Sequence, residues 1–366
     1  MGLMQRWPRW ASARPHVYLV EAPGGAYVRR AVESALDARG WHRSEAPGQA
    51  DVLLAAGDAD AISVISGHLD LVWSQLPGPR VRRHVADASA IGPALDEISR
   101  ALRDTQRHAD DARSREDEVA RWLEDDDEGR NGGSEGHDHG GHDDGGHQHG
   151  GHDHNEHGGG MAPSGIPLAG GADDRDGLEM DQLVHTLGPV LPLWPGGLVV
   201  RLTLAGDMLA DVQHRWLGGD HEPAPQEAAT AHWDAVAAAF ALAGDERTAR
   251  WARGVRDADD SATTDSAAAT LRRRVAGLSR LRALPSDAAA ALLADPAQPW
   301  DRVDIPALLR GRDLADARLL LAAFAPRLRR DSSFDDQDGG HDDHTARHAG
   351  HAVHHAGHHE GGHHHG

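Results

Sequence analysis

Residues 16–40, HVYLVEAPGGAYVRRAVESALDARG, decide how the chain is read. HVYLV (16–20) is a short apolar run, and EAPGG after it carries turn residues, so a buried strand followed by a tight turn is expected. Val28, Ala31, Val32, Ala35 and Leu36 then recur at helical spacing until Gly40, which predicts an amphipathic helix with a glycine stop. A strand feeding a helix through a turn is the opening of an α/β layer. ADVLLAAGD (50–58) repeats the strand and its glycine exit. ISVISGHLDLVWSQL (62–76) reads as the next helix, closed by PGP. RVRRHV (80–85) reads as a third strand, and IGPALDEISRALRDTQ (91–106) as a closing helix. Alternation of this kind predicts parallel strands.

Working outward, the chain divides into six segments. An arm (1–14) precedes the small α/β domain (15–106), and a charged helix (107–130) is expected to run outward from it. The linker (131–162) is rich in histidine, glycine and aspartate, has nothing apolar to bury from Asn131 to Gly160, and is expected to be disordered. In the second domain (163–330), LVVRLTL and MLADVQHRW flank AGD, a hairpin signal. Alanine-rich helices follow at about 226–244, 245–256, 266–283, 286–294 and 313–329, with Pro285, Pro296, Pro299 and Pro306 as separators. The tail (331–366) returns to the linker's composition. The expected fold class is thus α/β plus α-helical: a small parallel-sheet domain, a β-hairpin leading into a helical domain, and two histidine-rich disordered stretches.

Composition narrows the function classes. The net charge is −21 and there is no lysine. Such a balance argues against nucleic acid as a partner and favours cations. The chain has no cysteine, so thiolate zinc sites and cysteine-held iron–sulfur clusters are excluded within it. No run of 18 apolar residues is present, so no transmembrane segment is expected. The first residues lack an apolar core of signal-peptide length, and the expected location is the cytoplasm. Arg6, Trp7, Arg9 and Trp10 form a cluster suited to peripheral contact with the inner face of the membrane, or simply a frayed arm.

Nineteen of the 28 histidines lie in two tracts. The first carries His137, His139, His142, His147, His149, His152, His154 and His157. The second carries His341, His344, His348, His351, His354, His355, His358, His359, His363, His364 and His365. Imidazole is the commonest protein ligand for divalent transition metals, and glycine lets a chain wrap several rings around one ion. In HDHGGH, His137, His139 and His142 can reach one metal together, with aspartates as oxygen ligands or ring-orienting acceptors. His147/His149/His152 and His152/His154/His157 repeat the pattern. Nickel and zinc are the leading candidates, with cobalt and copper as alternatives. No closed tetrahedral site is specified, so exchange and buffering are expected, weakening below about pH 6 as the rings protonate. A plain linker, or a pH-sensitive one, is the competing reading.

Two stretches carry a family resemblance. ADVLLAAGDADAISVISGHLDLVWSQLPGPRVRRHV (50–85) resembles part of the small, cluster-carrying subunit of NADH:quinone oxidoreductase (complex I) and of membrane-bound nickel–iron hydrogenases, through Asp51 to Gly57 and the turn Pro77, Gly78, Pro79, Arg80. LGPVLPLWPGGLVVRLTLAGDMLADVQ (187–213) is similar to the start of the large, quinone-site subunit of the same complexes. Gly188, Pro189, Pro192, Gly197, Val200, Arg201, Leu204, Gly206 and Asp207 carry that likeness. Leu191 and Trp194 stand where the family has two histidines near the quinone head group, and the small-subunit cysteines are missing. The resemblance therefore implies a non-catalytic accessory or degenerate subunit that docks on subunits of a membrane-bound oxidoreductase. A nickel or zinc storage protein or metallochaperone is the alternative. A genuine electron-transfer subunit is a third reading, and the missing redox ligands speak against it.

Other constellations are weaker. EAPGGAY could cradle a phosphate, but it lacks the glycine-rich fingerprints, and a plain turn is the simpler reading. His68 and His84 sit in the α/β unit, and Asp58 and Asp60 follow its second strand, where such folds bind ligands; without a nucleophile or a defined base this is a position and not a site. His185, His214, His221 and His232 could form a structural metal site; surface histidines are the default. GADDRDGLEMD has the acidity of a calcium loop without its spacing. Trp122 and Leu123 offer a small docking stripe.

Overall fold

The computed structural model describes residues 14–115, 170–173, 179–218, 228–258, 261–280, 283–295 and 301–333. The N-terminal unit contains strands β1 (His16–Glu21), β2 (His42–Arg43), β3 (Val52–Ala56) and β4 (Val81–Val85), all parallel, in the order β2-β1-β3-β4. Its helices are α1 (Ala26–Arg39), α2 (Ala59–Val64), α3 (Ser66–Gln75) and α4 (Ile91–Ala101). Strand alternation sorts side chains to two faces. Val17 and Leu19 of β1 join Val52 and Leu54 under α1 and α4, whose Val32, Leu36, Leu95 and Ile98 complete one core. Tyr18 and Val20 point the other way, with Leu53 and Ala55, onto Ile65, Leu69, Val72 and Leu76. β3 is buried along its whole length because both faces are covered.

The expected helix over 62–76 is two helices broken at Ile65, and the first begins earlier, where Asp58 caps it by accepting from Ala61 N at 2.8 Å. Gly40 ends α1 in the left-handed region, as read. The charged helix does not simply prolong α4. The chain turns at 102–104, and helical residues 105–115 fold back so that Asp111 accepts from Arg80 Nε and Nη2 at 3.1–3.2 Å. Arg80 is buried, stacks 4.2 Å over Trp73 and donates to Trp73 O at 2.6 Å. The remainder of that segment, including Trp122 and Leu123, lies outside the described residues.

The second unit is an antiparallel sheet and a helical layer. Strands β5 (Gly170–Asp173), β6 (Glu179–Leu187), β7 (Leu198–Ala205) and β8 (Met208–Trp216) pair in sequence order. The β7–β8 hairpin turns where AGD predicts it; β5 and β6 enlarge the hairpin to a sheet. Helices α5 (Ala228–Leu242), α6 (Glu246–Arg256), α7 (Ser261–Arg280), α8 (Ser286–Leu293), α9 (Ile305–Leu309) and α10 (Leu314–Phe324) follow. Leu198, Val200, Leu202, Val212 and Trp216 of the sheet share one core with Val236, Phe240, Leu271, Leu292 and Leu320 of the helices. α5 is packed nearly all round, so small alanines line it. α10 stops at Phe324, because Pro326 cannot continue it. Residues 329–333 then run along β8: Ser333 N donates to His214 O at 2.7 Å, and Trp216 Nε1 to Arg329 O at 3.0 Å. Among the described residues, no helix is long and apolar enough to cross a membrane.

Candidate functional site

The strand order places the topological switch between β1 and β3, and ligands of open α/β sheets bind outside the carboxyl ends of such strands. Here that crevice is occupied by the protein's own chain. Loop 188–197 of the second unit lies over the exit of β1: Gly196 N donates to Glu21 Oε1 at 3.2 Å. A Cβ on Gly196 would lie 2.6 Å from Ala22 O, so only glycine permits the approach. Gly25 is equally confined, since its Cβ would lie 2.1 Å from Ala56 O. Val190 is buried in the same cluster as Tyr18, Leu53 and Ala55. Gly24 and Gly25 therefore form a strand-to-helix turn in which Gly25 is pressed against the end of β3 and Gly24 is exposed at the rim of a cavity.

Beside this contact lies a dense ionic interface. α1 presents Arg29, Glu33 and Asp37 at i, i+4 and i+8, along the flank of its apolar stripe. Arg29 Nε donates to Glu21 Oε2 (2.5 Å), its Nη1 to Glu33 Oε1 (2.8 Å), and its Nη2 to Asp234 of α5. Arg256 of α6 donates from Nη1 to Glu33 Oε2 and to Asp234 Oδ1, both at 2.7 Å, and from Nε to Asp257 Oδ1 at 2.8 Å. Arg253 bridges Asp37 (2.8 Å) and Glu246 (2.7 Å), and Arg43 reaches the same Glu246 oxygen at 2.7 Å. Burial alone would raise the Glu33 carboxyl, but Arg29 and Arg256 outweigh it and hold it well below the usual carboxylate range. Burial would likewise lower the Arg29 and Arg256 guanidiniums; their carboxylate partners raise both instead.

Two cavities flank this network. The larger, about 520 Å³, has a wall of small residues, among them Ala235, Ala238 and Ala322, with Trp194 and a charged end of Glu21, Arg29 and Asp234. The smaller, about 290 Å³, is lined by Trp41, His42 and Pro192 among others. Arg29, Glu33 and Leu193 line both and form the partition. Leu193 is held at φ 57°, a costly conformation for a branched residue, and it persists here because the loop is fixed at both ends. Trp194 Nε1 donates to Leu198 O at 2.7 Å, so Trp194 is a structural anchor. Among the described residues, the larger cavity's lining contains no serine, threonine, cysteine or histidine, and its carboxylates Glu21, Glu33 and Asp234 are each paired with Arg29. Such an interior can enclose and orient a bound group.

The sequence candidates fall as follows. The nineteen tract histidines, from His137 to His157 and from His341 to His365, lie outside the described residues, as do Arg6, Trp7, Arg9, Trp10 and His221. His185 is exposed on β6, His214 is buried on β8, and His232 is buried in α5. These three are not brought together: among the described residues, no group of three or more histidine, aspartate or glutamate side chains is arranged to hold a metal. Burial, aided by Arg327, pushes the His232 ring down to about 4, which marks a neutral core histidine. Burial and Arg215 also lower His68. Asp58 is a helix cap, and His84 is exposed on β4. Sequence reasoning missed the Arg29/Glu33/Asp37 stripe. Its signal was the i, i+4, i+8 charge alternation, which ordinarily means a solvated face.

The class that these features define is a four-stranded parallel α/β unit whose ligand crevice is closed by an antiparallel sheet and helical layer, sealed by buried ion pairs. Comparison of the chain with models of known families, with curated proteins and with solved structures gives no match.

Proposed function

We propose that the chain is a non-catalytic accessory protein related to the subunits of complex I and membrane-bound nickel–iron hydrogenases. Its folded body docks on partner subunits, and its two histidine tracts take up divalent transition metal, nickel or zinc. The supporting observation is that the two stretches of resemblance meet in one buried cluster. Leu53 and Ala55 belong to the small-subunit-like stretch and Val190 to the large-subunit-like one. The missing redox ligands, and cavity carboxylates that are each paired with Arg29, fit a docking body in which chemistry is dispensable. The tracts act separately from the folded body, because closely spaced imidazoles are ligands for divalent transition metal in their own right.

The test is native co-purification with metal analysis of the same sample, repeated after deleting 131–160 and 336–366. Subunits of a membrane-bound oxidoreductase that stay with the deleted chain support the reading. Loss of metal with no partner ever recovered favours a storage protein or metallochaperone instead, a reading that the clustering of nineteen histidines favours. Electron transfer from the purified chain to a quinone would overturn both.

A further inference from the structure

The folded body carries a histidine pair of its own. His16 opens β1, His42 opens β2, and the two are register partners across the parallel ladder, so their side chains leave the same face. Their rings lie 5.3 Å apart between centroids with planes inclined by 24°, and both residues are exposed. Asp51 immediately precedes β3, the next strand over. Its Oδ2 accepts from His16 N at 2.8 Å and lies 3.5 Å from His16 Nδ1. Ligand-type side chains thus stand at the amino ends of three adjacent strands.

We propose that His16 and His42 together bind one divalent transition ion, zinc, nickel or copper, with Asp51 as the residue that orients the His16 ring. A carboxylate beside Nδ1 favours the tautomer with the proton on Nδ1, which leaves the Nε2 lone pair for a metal. The two strands fix the spacing of the backbones. Bringing two ring nitrogens to about 3.4 Å around an ion at roughly 2.1 Å needs only side-chain rotation at an exposed edge. Two imidazoles fill half of a tetrahedral shell and water fills the rest, so this is an open site that needs no third protein ligand. It is independent of the tracts and stands if they bind nothing.

Histidine-selective acylation of the full chain, read residue by residue by mass spectrometry during a zinc titration at neutral pH, tests the proposal. His16 and His42 lose reactivity together at one zinc midpoint, while His84 and His185, also exposed on strands, keep theirs. In His42→Ala the protection of His16 disappears. In Asp51→Asn the shared midpoint moves to about tenfold more zinc, as loss of an orienting carboxylate does elsewhere. Circular dichroism confirms that the variants fold, and His16→Gln gives a second route to the same loss at His42. Unchanged reactivity of His16 and His42 at saturating zinc, or His16 protected as before in His42→Ala, overturns it. The tract histidines report separately in the same spectra, so failure of one site is not confused with failure of the other.

Discussion

Replacing Arg256 by methionine probes the interface most directly. The guanidinium is fully buried and holds Glu33 and Asp234, each at 2.7 Å, and Asp257 at 2.8 Å. Methionine keeps much of the stem's packing but leaves Arg29 alone against Glu21, Glu33 and Asp234. Breaking a buried pair by removing one partner costs about 3–5 kcal/mol. Glu33 and Asp234 each keep Arg29, so the lower figure, about 3 kcal/mol, is expected here. At about 2–4 °C per kcal/mol for a body of this size, the midpoint of thermal unfolding falls by about 6–12 °C. Adding Glu33→Gln to Arg256→Met removes the stranded charge, so the double variant is more stable than the sum of the two singles implies, by about 1 kcal/mol. Calorimetry at neutral pH measures all four proteins. The Arg29–Glu33–Asp234–Arg256 cluster is shielded from solvent, so adding salt to the parent does not reproduce the loss. An Arg256→Met unfolding free energy within about 0.5 kcal/mol of the parent, or a parent destabilised as much by salt, would refute the reasoning.

Three further outcomes follow from the same structure. His232 is held near 4 in the folded chain, while the unfolded chain takes up that proton from about pH 6.5 downward. The unfolded state binds more protons between these values, so stability falls by roughly 3 kcal/mol as pH drops from 6.5 to 4; His232→Leu flattens that part of a denaturant-midpoint profile. Gly25→Ala forces its Cβ against Ala56 O and costs at least about 1–3 kcal/mol, whereas Gly48→Ala, with nothing within 4 Å, stays within about 0.5 kcal/mol in urea unfolding. Asp111→Ala strips two donors of Arg80 of their acceptor, and hydrogen exchange across 105–115 accelerates by about one to two orders of magnitude while the sheet amides stay protected.

The elements that sequence made legible are those whose signal is local. Val28, Val32 and Leu36 at helical spacing, the continuous run Val52–Ala56, and the AGD turn each bury their residues in the way their pattern implies. Misses came where local cues pointed elsewhere. Pro306 reads as a separator, yet it occupies the first turn of α9 behind the Asp304 cap, a position where proline loses no hydrogen bond. β6, with glutamate, aspartate and glutamine in its first four residues, lacks the apolar alternation of a strand and is held by its ladder to β7.

The sequence by itself determined that nineteen of the 28 histidines are gathered in two glycine-rich tracts, which is the ground of the metal-binding proposal. It also determined the α/β alternation, because period and turn residues act within a dozen positions. Only the tertiary structure decided that loop 188–197 closes the β1 exit and that Arg29, Glu33 and Asp37 lie inside rather than in water. A charged stripe carries the same pattern whether solvent or another element covers it. What separates the two cases is a set of opposite charges more than 190 residues away, at Asp234, Arg253 and Arg256, and the covering loop lies comparably far along the chain.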